Sequence, residues 1–168
     1  MRNRKDKAAE IVRQLKNLFP QTKTALEYKT PFQLLVAVIL SAQTTDKKVN
    51  EVIPKLFAKV KTAKDFAKLS QSELEQYIKR IGLYRGKAKN ILLSAKAISQ
   101  KYNGELPQTM QEMTALPGVG RKTASVVLGI VYGVVEGIAV DTHVRRLSQL
   151  FGLSNSSNPD IIERDLMA

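Results

Sequence analysis

Apolar residues recur along this chain at the spacing of helix faces, and no stretch shows the sustained alternation of a strand. In AAEIVRQLKNLFP, residues 8–20, Ala8, Ile11, Val12, Leu15 and Phe19 share one face and Pro20 stops the run. TPFQLLVAVILSAQ opens with Thr30 as an N-cap and Pro31 at the first helical position. Being apolar nearly all round, it reads as the central buried helix. KKVNEVIPKLFAKV repeats the spacing through Val49, Val52, Ile53, Leu56, Phe57 and Val60, with Pro54 early enough to be tolerated or to kink it. Ser70 with Glu73, and Thr109 with Glu112, have capping-box spacing ahead of LEQYIKRI and MTAL. Pro159 starts a last helix with Ile161, Ile162, Leu166 and Met167 as its apolar positions. The pattern predicts an all-α protein.

Composition narrows the setting. A chain of 168 residues, 43% hydrophobic, can bury one sizeable core or two small ones sharing a cleft. Its longest uninterrupted apolar stretch, Leu34 to Leu40, falls far short of the roughly 20 residues that span a bilayer. The charged N-terminus leads into an amphipathic helix rather than a signal-peptide core, so the expectation is a soluble intracellular protein with no membrane partner. Cysteine is absent, which excludes a disulfide framework or a thiolate metal site within these residues. The formal net charge is +12, and the excess is clustered. Lys79, Arg80, Arg85, Lys87, Lys89, Lys96 and Lys101 occupy a segment with no acid, and acids are again absent from Met113 to Val135. Such surfaces attract polyanions.

Two segments echo one another weakly, RIGLYRGKAKNIL (80–92) and LPGVGRKTASVVL (116–128). Each ends a helix at glycine and restarts one within a few residues, so each joins two helices through a hairpin. In the second, Gly118 and Gly120 can take backbone angles closed to other residues and, lacking Cβ, admit another backbone closely. Pro117 fixes the entry. The N–H groups of the hairpin and of the next helix's first turn then form an anion site into which a phosphodiester fits without any base being read. This is a helix-hairpin-helix, a sequence-independent clamp on the DNA backbone. A lone Gly-Val-Gly would be an ordinary turn between packed helices; the adjoining RKTA and the acid-free surroundings reverse that preference.

Lys122 stands at the start of the following helix, where the positive pole of the helix dipole and the neighbouring Arg121 both disfavour its charged form. Two roles remain open for it at this point: an amine able to attack an electrophilic carbon, or a second lysine contacting phosphate. Asp141, ahead of Thr142 and the periodic Val144, Leu147 and Leu150, is a good N-cap. A helix from Arg121 to about Tyr132 runs roughly 17 Å, and the link from Gly133 to Val140 could span up to about 27 Å. The chain can therefore double back and bring the carboxylate beside the amine.

LPGVGRKTA followed by VDTH resembles the helix-hairpin-helix DNA glycosylases, and within them the endonuclease III group. TPFQLLVAVILSAQTTD, IGLYRGKAKNI and NGELPQTMQEMTALPGVGRKTA are similar to the pattern of that group, and the likeness runs from about residue 8 to the end. The resemblance implies an all-α helix-hairpin-helix glycosylase fold. A six-helix domain would cover residues 21–140, with the helix-hairpin-helix at 109–132, and a partial second helical domain would combine 1–20 with 141–168.

It implies base excision repair of oxidised pyrimidines in double-stranded DNA, with glycosylase and lyase steps at one site. Lys122 would attack C1′ and form an imine, with Asp141 stabilising charge at the sugar and assisting the lysine's deprotonation. The related adenine glycosylases lack a lysine at the matching place, which favours the bifunctional reading. Gln43 would enter the gap left by the swung-out nucleotide, and Leu83 would wedge against the opposite strand. Gly118, Val119, Gly120 and Arg121 would hold DNA, and His143 would lie in a first turn near the DNA-facing cleft rather than act as a metal ligand. Residues alone would make Gln43 a helix-end glutamine and Leu83 a hydrophobic contact. The alternative class is a helix-hairpin-helix module that binds DNA without chemistry.

The resemblance also implies a four-cysteine [4Fe-4S] segment beyond IIERDLMA, and a monovalent cation held by hairpin carbonyls. The chain is therefore expected to be a truncated form. It would expose an apolar face on the first helix and on the helix after Asp141, with reduced stability, self-association through that face and impaired catalysis. In a bacterial cell it would be cytoplasmic and associated with the nucleoid.

Overall fold

The computed structural model describes residues 4–20 and 23–168, so the sequence-drawn limits at residues 1 and 21 touch positions outside the described residues. The described residues form helices without strands. In order these are α1 (Arg4–Leu18), α2 (Pro31–Ser41), α3 (Asp46–Lys59), α4 (Ala63–Phe66), α5 (Gln71–Ile78), α6 (Tyr84–Lys101), α7 (Met110–Thr114), α8 (Arg121–Tyr132), α9 (Thr142–Leu150) and α10 (Pro159–Met167).

Two compact units divide the chain: Ala25–Glu136, and Met1–Thr24 together with Gly137–Ala168. The larger is built around α2. Thr30 caps it by accepting from the N–H of Gln33, Pro31 sits in its first turn, and Phe32 to Ala37, Ile39 and Leu40 are buried. Helices α3, α6 and α8 pack against it, so each apolar residue of the sequence run finds a partner on one side or another. Each fully buried leucine, isoleucine or valine contributes about 1.5–3 kcal/mol relative to exposure. α3 carries Pro54 in its interior without ending there, at the cost of the helix donor that the carbonyl of Asn50 would have received. Phe66 of α4 lies edge-on to Phe32, ring centroids 5.2 Å apart, and closes this core from the side.

Local capping places the short helices. Ser70 and Glu73 form a reciprocal box at α5. At α7 the Thr109 hydroxyl accepts from the N–H of Glu112, while the Glu112 carboxylate takes the hydroxyl proton at 2.8 Å rather than returning to the backbone. A second reciprocal box, at α4, joins Thr62 and Asp65, whose Oδ2 accepts the N–H groups of Thr62 at 3.0 Å and Lys61 at 3.1 Å. Those two N–H groups hold the Asp65 carboxyl below the usual carboxylate range. The folded value lies below the unfolded one, so this stabilisation is complete above the unfolded value and is lost as pH falls through the folded one. Asp65→Asn is expected to flatten part of the stability loss seen below about pH 4 in acid unfolding curves.

The smaller unit is more loosely packed. α9 and α10 contact each other, Arg4 of α1 bonds the backbone carbonyl and carboxylate of Asp165, and the Ser154 hydroxyl donates to Asp165 Oδ2 at 2.7 Å. No residue of α1 is buried. Val12, Leu15 and Leu18 of α1 and Phe19 just after it stand exposed, as do Leu147 and Leu150 of α9. No helix among the described residues is long and apolar enough to cross a membrane.

Candidate nucleic-acid interface

Both predicted hairpins form. The one between α7 and α8 turns at Gly118, whose φ of +76° is a left-handed conformation that suits glycine. The close approach there comes from a side chain, not a backbone. A β-carbon on Gly118 would lie 2.7 Å from Asn90 Cβ and 2.8 Å from Asn90 Nδ2. Ser94, buried one turn further along α6, donates its hydroxyl to the carbonyl of Pro117 at 2.7 Å. Asn90 and Ser94 thus seat the hairpin on α6.

Gly120 has a different reason to be glycine. Its φ is −84°, open to any residue, and a β-carbon there would meet nothing within 4 Å. As the N-cap of α8 it supplies no side-chain acceptor of its own to the helix start. Gly118, Gly120, Arg121 and Lys122 are exposed around this helix start. Val119 differs: its side chain is buried in the core, and its N–H closes the turn by donating to the carbonyl of Leu116 at 3.1 Å.

In the hairpin between α5 and α6 the first helix stops at Ile78, ahead of the glycine at which the sequence placed its end. The left-handed residue is Leu83, at φ +56°, and not the preceding Gly82. Leu83 is also 70% exposed, so an apolar side chain is held out on a strained backbone with nothing in the fold to reward either cost. Gln43, between α2 and α3, shares both properties: it is exposed, with φ +55°. The two turns are neighbours. A β-carbon on Gly82 would lie 3.7 Å from Thr44 Oγ1 and 3.8 Å from the carbonyl oxygen of Gln43. The two residues marked out as gap-filling therefore sit on adjoining turns of one unit.

Sequence patterning missed what lies beneath them. Lys87, counted above among surface cations, is buried. Its Nζ donates to the carbonyls of Leu40 at 2.9 Å and Ala42 at 2.6 Å and to Thr44 Oγ1 at 3.2 Å. Burial lowers its amine below the ordinary lysine range. The one available signal was its place one turn into a helix, on the face that buries Ala88, Ile91 and Ser94.

Asp141 is the N-cap of α9, as its position suggested. Its Oδ1 accepts the N–H groups of His143 and Val144, both at 2.9 Å, and His143 is an exposed first-turn residue. Asp141→Ala is expected to cost about 0.5–2 kcal/mol in thermal or denaturant unfolding, whereas Asp141→Asn, which can still accept, loses little. Lys122 belongs to the larger unit and Asp141 to the smaller.

No group of three or more histidine, cysteine, aspartate or glutamate side chains among the described residues could hold a metal ion, and with no cysteine in the chain there is no thiolate for an iron–sulfur cluster. These residues do not fit that group, and no step below runs through it.

Comparisons place this architecture. Residues 36–168 match the HhH-GPD superfamily of base excision DNA repair proteins. The chain is 48% identical to an endonuclease III of Synechocystis over 167 residues, covering 99% of the chain and 76% of that relative. It is 47% identical to an endonuclease III of Bacillus subtilis over 152 residues, covering 90% of the chain and 69% of that relative. A solved structure described as a trapped endonuclease III–DNA covalent intermediate superposes with a TM-score of 0.89 at 42% identity, covering 99% of this chain and 78% of that one. A thermostable thymine-DNA glycosylase, 23% identical over 97% of this chain and 78% of its own, shares the fold with a TM-score of 0.82. The left-handed glycine hairpin, the strained pair at Gln43 and Leu83 and this likeness along the chain agree: the protein belongs to the HhH-GPD superfamily of base excision DNA repair proteins, in its endonuclease III group.

Proposed function

We propose that this chain is a bifunctional enzyme that removes oxidised pyrimidines from duplex DNA and then nicks the strand. The hairpin, its turn closed by the Val119 N–H on the Leu116 carbonyl, holds a phosphate through the backbone N–H groups of Gly118, Gly120 and Arg121, while Gln43 fills the gap left by the extruded nucleotide and Leu83 wedges the opposite strand. Unstacking a base costs a few kcal/mol, about what such plugs offset. The observation that carries the reading is the pair of exposed side chains on left-handed backbone at 43 and 83, in the same unit as a hairpin whose following helix has glycine as its N-cap.

The chemistry assigned to the site follows from a primary amine and an acid. The Lys122 amine attacks C1′ of the damaged nucleotide, the glycosidic C–N bond breaks, and the base leaves with a proton. The sugar then opens at C1′–O4′, O4′ taking a proton to become a hydroxyl, and the imine so formed makes the C2′ proton acidic. Its removal expels the 3′ phosphate by cleavage of the C3′–O bond, and water then returns the amine. Asp141 takes the proton that the amine sheds and stabilises positive charge at the sugar. Support for the covalent step comes from the similar endonuclease III described as trapped on DNA in a covalent intermediate.

Borohydride reduction tests it. On an abasic duplex the chain is expected to leave a covalent protein–DNA adduct, because hydride converts the imine to a stable amine. Salt-sensitive binding with no adduct would instead support a non-catalytic DNA-binding module. Asp141→Asn, which keeps the cap, separates the carboxylate's chemical role from its structural one: slowed adduct formation at unchanged stability supports the assignment.

A further inference from the structure

We propose that Lys87 is a positioning residue for strand insertion: it clamps the end of α2 so that the Gln43 turn is set against the Leu83 turn before DNA arrives. The inference rests on the gap-filling reading of those two side chains.

A helix leaves its last carbonyls without partners inside the helix. At the end of α2 those of Leu40 and Ser41, and that of the C-cap Ala42, find partners locally. The Ser41 carbonyl accepts from the N–H of Thr44 at 3.0 Å, and those of Leu40 and Ala42 accept from the Lys87 ammonium. The third ammonium proton goes to Thr44 Oγ1, so all three donors are used on residues that bracket Gln43 on both sides. Placing a cation at the negative pole of α2 is favourable in itself. Without that clamp, the Ser41–Thr44 turn hydrogen bond alone in this cluster would hold Gln43 in a conformation that costs about 1–2 kcal/mol for a residue with a side chain.

Lys87 also begins the turn after Leu83, whose carbonyl accepts the Lys87 N–H at 3.1 Å. One residue therefore grips both turns, by its side chain and by its backbone. The same face of α6 continues three and seven residues on to Asn90 and Ser94, which seat the phosphate-binding hairpin. α6 thereby sets the spacing between plugs and clamp.

The test uses this chain on a duplex carrying a reduced abasic site opposite 2-aminopurine, whose fluorescence rises when it loses its stacking neighbours. Saturating wild-type protein is expected to give a rise that Gln43→Ala and Leu83→Ala diminish. A flat wild-type signal, or a rise indifferent to both substitutions, overturns the gap-filling reading and this proposal with it. Given that rise, Lys87→Met is expected to bind within about threefold of wild-type affinity while raising the signal less than half as far. A full rise in Lys87→Met overturns the positioning role alone, as does a loss of signal that merely tracks a loss of affinity and of thermal stability. Should Lys87→Met fail to fold, Thr44→Val decides, since it removes one of the three acceptors. A reduced rise at unchanged affinity supports the clamp, and an unchanged rise overturns it.

Discussion

Replacing Lys122 with alanine is expected to abolish the borohydride-trapped adduct and to lower strand cleavage at abasic sites by at least about 10³-fold, the scale of losing a covalent nucleophile. The fold should survive. Lys122 lies in the first turn of α8 with its side chain exposed, and removing a cation from the positive pole of a helix relieves repulsion worth about 0.3–1 kcal/mol. Alanine is also the best helix former, so the variant should remain folded. Binding separates the two roles that the sequence left open. A lysine that only contacts phosphate would, when removed, weaken DNA binding at every site, reduce the salt slope by about one charge and be replaceable by arginine. A nucleophile would leave binding nearly intact and tolerate no arginine, because a guanidinium does not form the imine. Gel trapping of Lys122→Ala and Lys122→Arg beside salt-dependent binding reads out both.

The second large effect is expected at Gly118. Alanine there meets two penalties at once: a left-handed backbone that costs a residue with Cβ about 1–2 kcal/mol, and a β-carbon placed 2.7 Å from Asn90 Cβ. The combined cost should reach about 2–4 kcal/mol in urea unfolding, with a loss of DNA affinity of tenfold or more as the hairpin shifts off α6. Gly120→Ala is the instructive contrast. Its backbone angle is ordinary and its β-carbon enters open space, so stability should hardly change. The added methyl would instead crowd the N–H groups at the start of α8, and any loss of affinity reports on the anion site directly. Adding Asn90→Gly to Gly118→Ala should recover the contact part of the penalty and leave the backbone part.

These two glycines also show what a sequence can and cannot display. Capping residues announce themselves because their partners are three positions away: Thr30 before Pro31, Ser70 with Glu73 and Asp141 ahead of α9 all take the places their spacing suggested. The apolar run of α2 reads as central for the same reason, since a helix with no polar face has no other stable location. The left-handed residue of the first hairpin was not legible, because it is set by neighbours from elsewhere in the chain. Local preference selects Gly82, yet the left-handed conformation falls on Leu83, in a turn that lies against the one at Gln43 and Thr44. Lys87 was hidden more thoroughly. A lysine in a basic run reads as surface, and its acceptors lie more than 40 residues upstream. Likewise, the need for glycine at 118 is a demand of Asn90, which no inspection of PGVG reveals.

The two awkward residues at 43 and 83 set durability against purpose. Glycine would sit more easily on either backbone, and after the extra freedom of unfolded glycine is subtracted, the exchange should raise folding stability by up to about 1 kcal/mol. An engineering campaign scored only on heat resistance would drift toward such replacements. It would end with a sturdier molecule whose fingers had been filed off.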